Sequence, residues 1–480
     1  MALMPIGAAI RWLAERDPGR PSITQVPVPG AEIEQRTITR VELELHTNKL
    51  ARTYEALGVK EGDLVTIGLP NGIAFYEAAI ATWKLGAIPQ PVSYRLPDRE
   101  LQEIVELATP SLVVMKEIVA DPDASDEPLL PDRTSPSQKA PTSGGSTGRP
   151  KIILSGTPGV TDPETVGLGG MFGAQLDGVQ LVPGPLYHNG PFVFSTGGLF
   201  VGQHLVVMPK FDAASMLRYI DEFGVDFAML VPTMMTRALK LPDSERQRWS
   251  LASLRGILHL AAPCPPATKE AWIDWIGADK VWELYAGTEA QGVTIVSGVE
   301  WAAHRGTIGK PADGTMKVLS PEGVEVPRGE VGEIWMKPPD AKTYSYIGAE
   351  ARVNAEGWES LGDMGWMDDD GYLYIADRRT DLILAGGANI YPAEVEAALD
   401  EHPLVSSCAV IGLPDEDLGQ RVHALVHLLG DVSDDELRAF LGERLARYKV
   451  PRSFERTDGP VRDDAGKVRR SALVQERAEG

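Results

Sequence analysis

Residues 140–154 read APTSGGSTGRPKIIL: three glycines, four hydroxyl side chains and two basic residues run straight into an apolar stretch. A mobile linker shares that composition, but a linker has no reason to feed at once into a strand-forming IIL. A nucleotide-hydrolase phosphate loop would place lysine and then serine or threonine directly after its last glycine and continue as a helix. Here Arg149 and Pro150 separate Gly148 from Lys151, and Pro150 obstructs a continuing helix. What remains is a phosphate grip of another design. Gly144, Gly145 and Gly148 allow close backbone approach, Ser146 and Thr147 can donate hydrogen bonds, and Lys151 brings positive charge to polyphosphate oxygens.

Outward from this loop the chain alternates helix and strand. Thr39 to Leu57 has helical spacing, with Val41, Leu45, Leu50 and Tyr54 among its apolar positions and Gly58 as a stop. GDLVTIGLPN then reads as a buried strand ending in a turn, and FYEAAIATWKLGAIPQPV as a helix, a glycine and a further strand. The pattern recurs in LQEIVELATPSLVVM and in MLRYIDEFGVDFAMLVP, where Gly224 separates a helix from the strand DFAML. Such alternation predicts parallel sheets covered by helices, with functional loops beyond the strand ends. DPDASDEPLLPDRTSPSQKAP, polar and proline-rich, is expected to be a surface connection into the phosphate loop.

The character changes near Arg378. DRRTDLILAGGANIYPAEVEAALDEHP gives a turn, a short strand, a glycine-rich loop and an acidic helix; CAVIGLP and VHALVHLLG add strands, and SDDELRAFLGERL a helix. The expected organisation is a large α/β region of several subdomains over 1–378 and a compact α+β domain over 379–480. A chain of 480 residues is in any case too long for one ordinary domain. Its 46 basic and 68 acidic residues give a formal net charge of -22, which disfavours a broad nucleic-acid or anionic-membrane surface. Cys264 and Cys408 fit neither a disulfide framework nor a structural metal cluster. Arg11, Glu15 and Arg16 interrupt the first apolar stretch, so an amphipathic helix and a cytoplasmic address are expected, with no membrane span. His423 and His427 lie in VHALVHLL, which alternates like a strand and offers no third metal ligand.

Several ordered motifs carry a resemblance. TSGGSTGRPK at 142–151, PLYHNG at 185–190, LYAGTEAQG at 284–292, GWESLGDMGWMDDDGYLYIADRRTDLILAGGANIYPAEVE at 357–396 and DDAGKVRRSAL around Lys467 resemble the adenylate-forming superfamily. That superfamily comprises acyl-CoA synthetases, aryl-CoA ligases, peptide-synthetase adenylation domains and luciferases. Ser143, Gly144, Gly145, Ser146, Thr147, Gly148, Pro150 and Lys151 match its phosphate loop, with Gly144 in place of the usual serine and Thr142 in place of an aromatic residue.

The resemblance implies ATP, Mg²⁺ and CoA as cofactors and a carboxylic acid as substrate. It assigns adenine stacking to Tyr285, followed by Ala286 and Gly287, an α-phosphate contact to Thr288 and a magnesium contact to Glu289. Ala261, Ala262 and Pro263 fall where the family has G-A-P beside adenine and acyl group, and Asp363 and Arg378 are implied to hold the ribose, a carboxylate suiting a diol. His188, with Asn189, Gly190 and Gly292, would line the acyl pocket or gate the thiol channel. Lys467 would be a mobile lysine stabilising charge as the acid attacks ATP, and Gly386 and Gly387 would border the pantetheine channel after rotation about a hinge at Thr380.

Two departures stand out: Thr380 replaces the usual Asp or Lys, and Leu361 the threonine of T-G-D. Three functions therefore stay open. The first is an acid–CoA ligase for a hydrophobic, bulky or cyclic acid, with CoA as thiol because no carrier domain follows Leu473. The second is an enzyme that stops at acyl-AMP or passes it to a partner enzyme, and the third a non-catalytic nucleotide-binding scaffold. A homodimer is compatible with all three.

Overall fold

The computed structural model describes residues 3–31, 33–144, 150–337, 343–385, 388–415, 417–463 and 466–478. Its largest sheet has eight strands in the order Val293–Ser297, Val281–Ala286, Gly256–His259, Phe227–Leu230, Val179–Val182, His204–Val207, Pro21–Gln25 and Arg36–Thr39. The six inner strands are mutually parallel and each edge strand is antiparallel. Side chains alternate across it: Leu205 and Val207 enter one apolar core with Ile23, Phe75 and Trp83, whereas Val206 and Met208 enter another with Leu181, Phe227 and Trp272. Both faces are therefore buried, which is why these strands read as continuous apolar runs.

The helices start and stop where local chemistry requires. Arg40–Ala56 opens on a capping box, Thr39 accepting from the Glu42 N–H while the Glu42 carboxylate accepts from Thr39 N. Ala213–Phe223 is capped by Asp212 and ends at Gly224, whose φ of 61° lies in the left-handed region. Leu64–Ile67 forms a second parallel sheet between Ile88–Pro91 and Leu112–Val114.

Pairing in the rest of the chain is antiparallel among the described residues, except where Ser453–Arg456 runs parallel to Gly419–Leu428. Met316–Leu319, Gly332–Met336, Asp363–Met367 and Leu373–Arg378 form an antiparallel sheet. Its last two strands are joined by a turn too short for a crossover, in which the Asp368 carboxylate accepts from Tyr372 N at 2.8 Å. Thr142–Gly144, Pro150–Ser155 and Tyr344–Ile347 form a smaller antiparallel sheet, so the stretch after Arg149 is a strand as its apolar residues require. The chain leaves the four-stranded sheet at Arg378 and enters a five-stranded one at Ile383, dominated by the hairpin Val405–Asp415 and Gly419–Leu428. Pro392–Asp400 and Asp434–Gly442 cover that sheet through Val395, Leu399, Leu437 and Leu441. No helix among the described residues is long and apolar enough to cross a membrane.

Candidate active site

The phosphate hairpin sets the first wall of the site. Ser143 pairs with Lys151 and Gly144 with Pro150 across its strands. Gly145, Ser146, Thr147 and Gly148 lie outside the described residues. Lys151 Nζ donates to Glu289 Oε1 and to the Tyr346 hydroxyl, each at 3.0 Å, and sits 4.2 Å from the centre of the Tyr346 ring. The Tyr346 hydroxyl in turn donates to Glu289 Oε1. Burial and then Glu289 raise the Tyr346 pKa, so the phenol keeps its proton. Tyr346 reaches this position because its strand pairs with the hairpin, Tyr346 opposite Ile153. Sequence reasoning did not single it out, since only the pairing brings it beside Lys151.

A second cluster follows from another register. Asp363 lies directly opposite Arg378, and Arg378 Nε meets Asp363 Oδ1 at 3.3 Å. The Tyr285 hydroxyl donates to Asp363 Oδ2 at 2.7 Å. Tyr285 lies inside the strand Val281–Ala286, opposite Thr294. Ala286 is exposed, and the chain then turns through Gly287 and the partly buried Thr288 to the buried Glu289. A Cβ at Gly287 would fall 2.5 Å from Leu361, so the leucine that replaces a threonine packs directly onto this turn, in an apolar cluster with Tyr285.

Beneath these strands lies a charged triad that the sequence did not reveal. His259 and Glu283 are paired in register; Lys269 Nζ bonds Glu283 Oε2 at 2.6 Å, and His259 Nε2 stands 3.8 Å from the same oxygen. Burial and the Lys269 charge drive the His259 pKa well below its ordinary value, keeping the ring neutral. The triad ties the strand Gly256–His259, which leads into Ala261, Ala262 and Pro263, to the strand that carries Tyr285. Ala261, in the position the superfamily gives to glycine, has φ of 78°. A Cβ is strained there by about 1–2 kcal/mol. Ala261→Gly is expected to raise the unfolding free energy by about 1 kcal/mol after allowance for glycine's greater chain entropy. Denaturant unfolding checks this, and a destabilised variant would count against strain at Ala261.

The third wall comes from the C-terminal sheet. Asp463 fixes the loop before Lys467: its Oδ1 accepts from Lys467 N and its N–H donates to Lys467 O, both at 2.9 Å. Gly466 has φ of 75°, and a Cβ there would lie 2.8 Å from Thr233 Oγ1, so the loop rests directly on the first turn of the helix Pro232–Leu239. The Lys467 residue remains exposed, yet the atoms crowding its ammonium lower its pKa; Arg378 acts in the same direction, and Asp463 and Glu289 oppose it. His188 Nε2 faces Asp463 Oδ2 at 3.6 Å. Asn189 and Gly190 open the helix after His188, and a Cβ at Gly190 would meet Leu260 at 2.9 Å and Met229 at 3.3 Å. A Cβ at Gly292 would meet Met316 at 2.8 Å and Met336 at 3.2 Å, both on the antiparallel sheet.

An ion network supports the lysine loop. Glu396 receives Arg462 Nη2 at 2.6 Å and Arg470 Nη2 at 2.7 and 2.8 Å; Arg470 Nη1 also reaches Asp381 at 2.7 Å, and Arg462 Nη1 reaches Gly466 O at 3.1 Å. Thr380, next to Asp381, is exposed and donates only to Asp381 Oδ1 at 3.2 Å among the described residues. Gly386 and Gly387 lie outside the described residues. Among the described residues, polar contacts between this module and the rest include Lys240 Nζ donating to Asp400 O and Val405 O, Arg469 meeting Glu100 at 3.1 Å, Ala393 N donating to Asp377 Oδ2 at 2.8 Å, and the approach of His188 to Asp463.

The hairpin that carries Lys151, the cluster of Tyr285, Asp363 and Arg378, and the loop that carries Lys467 are the stretches in which the sequence resembles the adenylate-forming superfamily. Family comparison agrees: the AMP-binding enzyme model matches residues 10–143 and 141–344, and the AMP-binding enzyme C-terminal domain matches 394–467. The chain belongs to this adenylate-forming family, within its AMP-forming acid–CoA ligases. It is 29% identical over 483 residues to 2-succinylbenzoate–CoA ligase of Bacillus cereus (strain Q1), covering 97% of this chain and 98% of that one. It is 32% identical over 487 residues to feruloyl-CoA synthase of an Amycolatopsis species, covering 95% and 96%. Among solved structures, o-succinylbenzoate CoA synthetase from Bacillus subtilis in complex with ATP and magnesium superposes with a TM-score of 0.77 at 26% identity, over 98% and 100% of the two chains.

Proposed function

We propose that the protein is an ATP-dependent acid–CoA ligase for a hydrophobic carboxylic acid with an aromatic or cyclic body, acting in the cytoplasm. The acid's carboxylate oxygen attacks the α-phosphorus of ATP, pyrophosphate leaves and acyl-AMP forms. The CoA sulfur then attacks the acyl carbonyl, AMP leaves, and the thiol proton passes to solvent. The observation that supports this reading is the bonding of Lys151 to Glu289 and Tyr346 beside the glycine-rich stretch, with the Lys467 loop of the C-terminal module packed on Thr233 through Gly466. The names of the two whole-length relatives, 2-succinylbenzoate and feruloyl, supply the aromatic acid.

In this reading Lys151 binds polyphosphate oxygens, Tyr346 orients Lys151 and Glu289, and Thr288 contacts the α-phosphate. Tyr285 packs on adenine while Asp363 and Arg378 take the ribose. Glu289 offers the hard carboxylate oxygen that Mg²⁺ accepts, and bound Mg²⁺ would neutralise phosphate charge. Lys467 stabilises charge growing on phosphate in the attack. Residues 1–378 act as the large domain and 379–480 as the small one, which turns at Thr380 to bring the segment with Gly386 and Gly387 to the pantetheine channel. Threonine there is stiffer at χ1 than the usual hinge residues, which favours a second reading in which the enzyme stops at acyl-AMP. Mass-spectrometric detection of acyl-AMP and acyl-CoA over an acid panel, with and without CoA, tests both. Acyl-CoA formed with CoA present supports the ligase; acyl-AMP alone supports the second reading. Absence of pyrophosphate release with every acid leaves only a nucleotide binder.

A further inference from the structure

We propose that Lys139 and Asn189 form a subsite for a second carboxylate on the acid, near the carboxylate that is activated. The inference rests on the adenylating function proposed above. Lys139 stands just before the phosphate hairpin, and its backbone is fixed because Lys139 O accepts from Ser155 N at 3.0 Å. Its Nζ donates to Asn189 Oδ1, at the start of the helix that follows His188. Among the described residues that neutral amide is its only hydrogen-bond partner. The carboxylate whose charge acts on it is Glu289, already engaged by Lys151 and Tyr346. Partial burial pushes the Lys139 pKa down to about 8, with Glu289 opposing. Lys139 thus brings a cation with no counter-ion of its own among the described residues into the charge field of Glu289.

The surroundings define what would fit. Gly190, next to Asn189, packs against Leu260 and Met229, so an apolar wall adjoins the polar pair. An acid lying along that wall with its reacting carboxylate toward Glu289 presents a neighbouring substituent to Lys139. A second carboxylate there would accept a charge-assisted hydrogen bond from Nζ and another from the Asn189 amide NH₂, whose oxygen Lys139 already holds in place. Burial also makes the choice selective, because an unpaired ammonium in a partly desolvated site is unfavourable and an anion relieves it.

The test compares pairs of aromatic or cyclic acids, each pair sharing one skeleton, one member bearing a second carboxylate and the other the carboxamide in its place. Pyrophosphate release with ATP gives kcat/KM for each. Wild-type protein is expected to prefer the diacid by about 10- to 100-fold, the worth of a hydrogen-bonded charge. That preference is expected to fall at least tenfold in Lys139→Met and Lys139→Gln and to persist largely in Lys139→Arg. The ratio is internal to each variant, so a partial folding defect cancels. Equal kcat/KM for both members in wild type, or a drop in Lys139→Met that is the same for both, overturns the subsite while leaving the ligase standing. If the wild type releases no pyrophosphate with any acid, the ligase reading fails and the subsite with it.

Discussion

Lys467→Ala is expected to slow acyl-adenylate formation by about 10²- to 10³-fold, the loss typical when one preorganised group facing transition-state charge is removed. Thiolysis or hydrolysis of acyl-adenylate supplied ready-made is expected to fall far less. The asymmetry follows from where the lysine is held. Its loop rests on Thr233 through Gly466, and the proposed function has it serve the step in which negative charge gathers on phosphorus oxygens. The variant also leaves the fold intact, because the loop is fixed through backbone atoms of Lys467 that alanine keeps. Measuring the two half-reactions separately decides the matter, and equal residual rates would remove Lys467 from the first.

The second large effect is structural. Glu396→Gln is expected to lower the stability of the C-terminal module by about 3–5 kcal/mol, the loss seen when one partner of a buried ion pair is removed. Glutamine can keep the bond that Glu396 Oε1 accepts from Val410 N at 2.8 Å, but Arg462 loses its carboxylate and Arg470 retains only Asp381. Adenylation should decline with it, because Arg462 also holds Gly466 O beside Lys467. Acid provides a second check. Burial raises the Glu396 pKa, and Arg462 and then Arg470 outweigh it, so the folded value lies below the ordinary one. The stabilisation is therefore fully present above the unfolded pKa of about 4.3 and is lost as pH falls through the depressed folded value. Denaturant unfolding between about pH 3 and 7 should show a shallower acid slope in Glu396→Gln than in wild type. An unchanged slope would mean that the carboxylate contributes no such linkage.

Local pattern carried much of the architecture. The helix after Thr39, the break at Gly224 and the apolar runs of the parallel strands were legible because each depends on residues a few positions apart. The candidate site was legible where motifs kept several unusual residues together, as at 284–292 and 357–396. What escaped depends on register between distant segments. Tyr346 meets Glu289 and Lys151 only because its strand joins the hairpin, and Lys269, Glu283 and His259 meet only after a helix and two strands pack. Close approach to Met316 and Met336 likewise accounts for the glycine at 292, a packing reason that no local motif displays. Ala261 was visible as a departure from glycine, but the left-handed backbone that makes it matter was not.

The seam between the lysine-bearing module and the large sheets has an energetic consequence. Arg469 and Glu100 are both exposed, His188 faces an exposed Asp463, and Lys240 grips carbonyl oxygens rather than a carboxylate. Exposed ion pairs of this kind contribute about 0–1 kcal/mol each, whereas the Glu396 network that keeps the module rigid is internal to it. Among the described residues the module is thus held more strongly inside than at its border, which suits the turn proposed at Thr380.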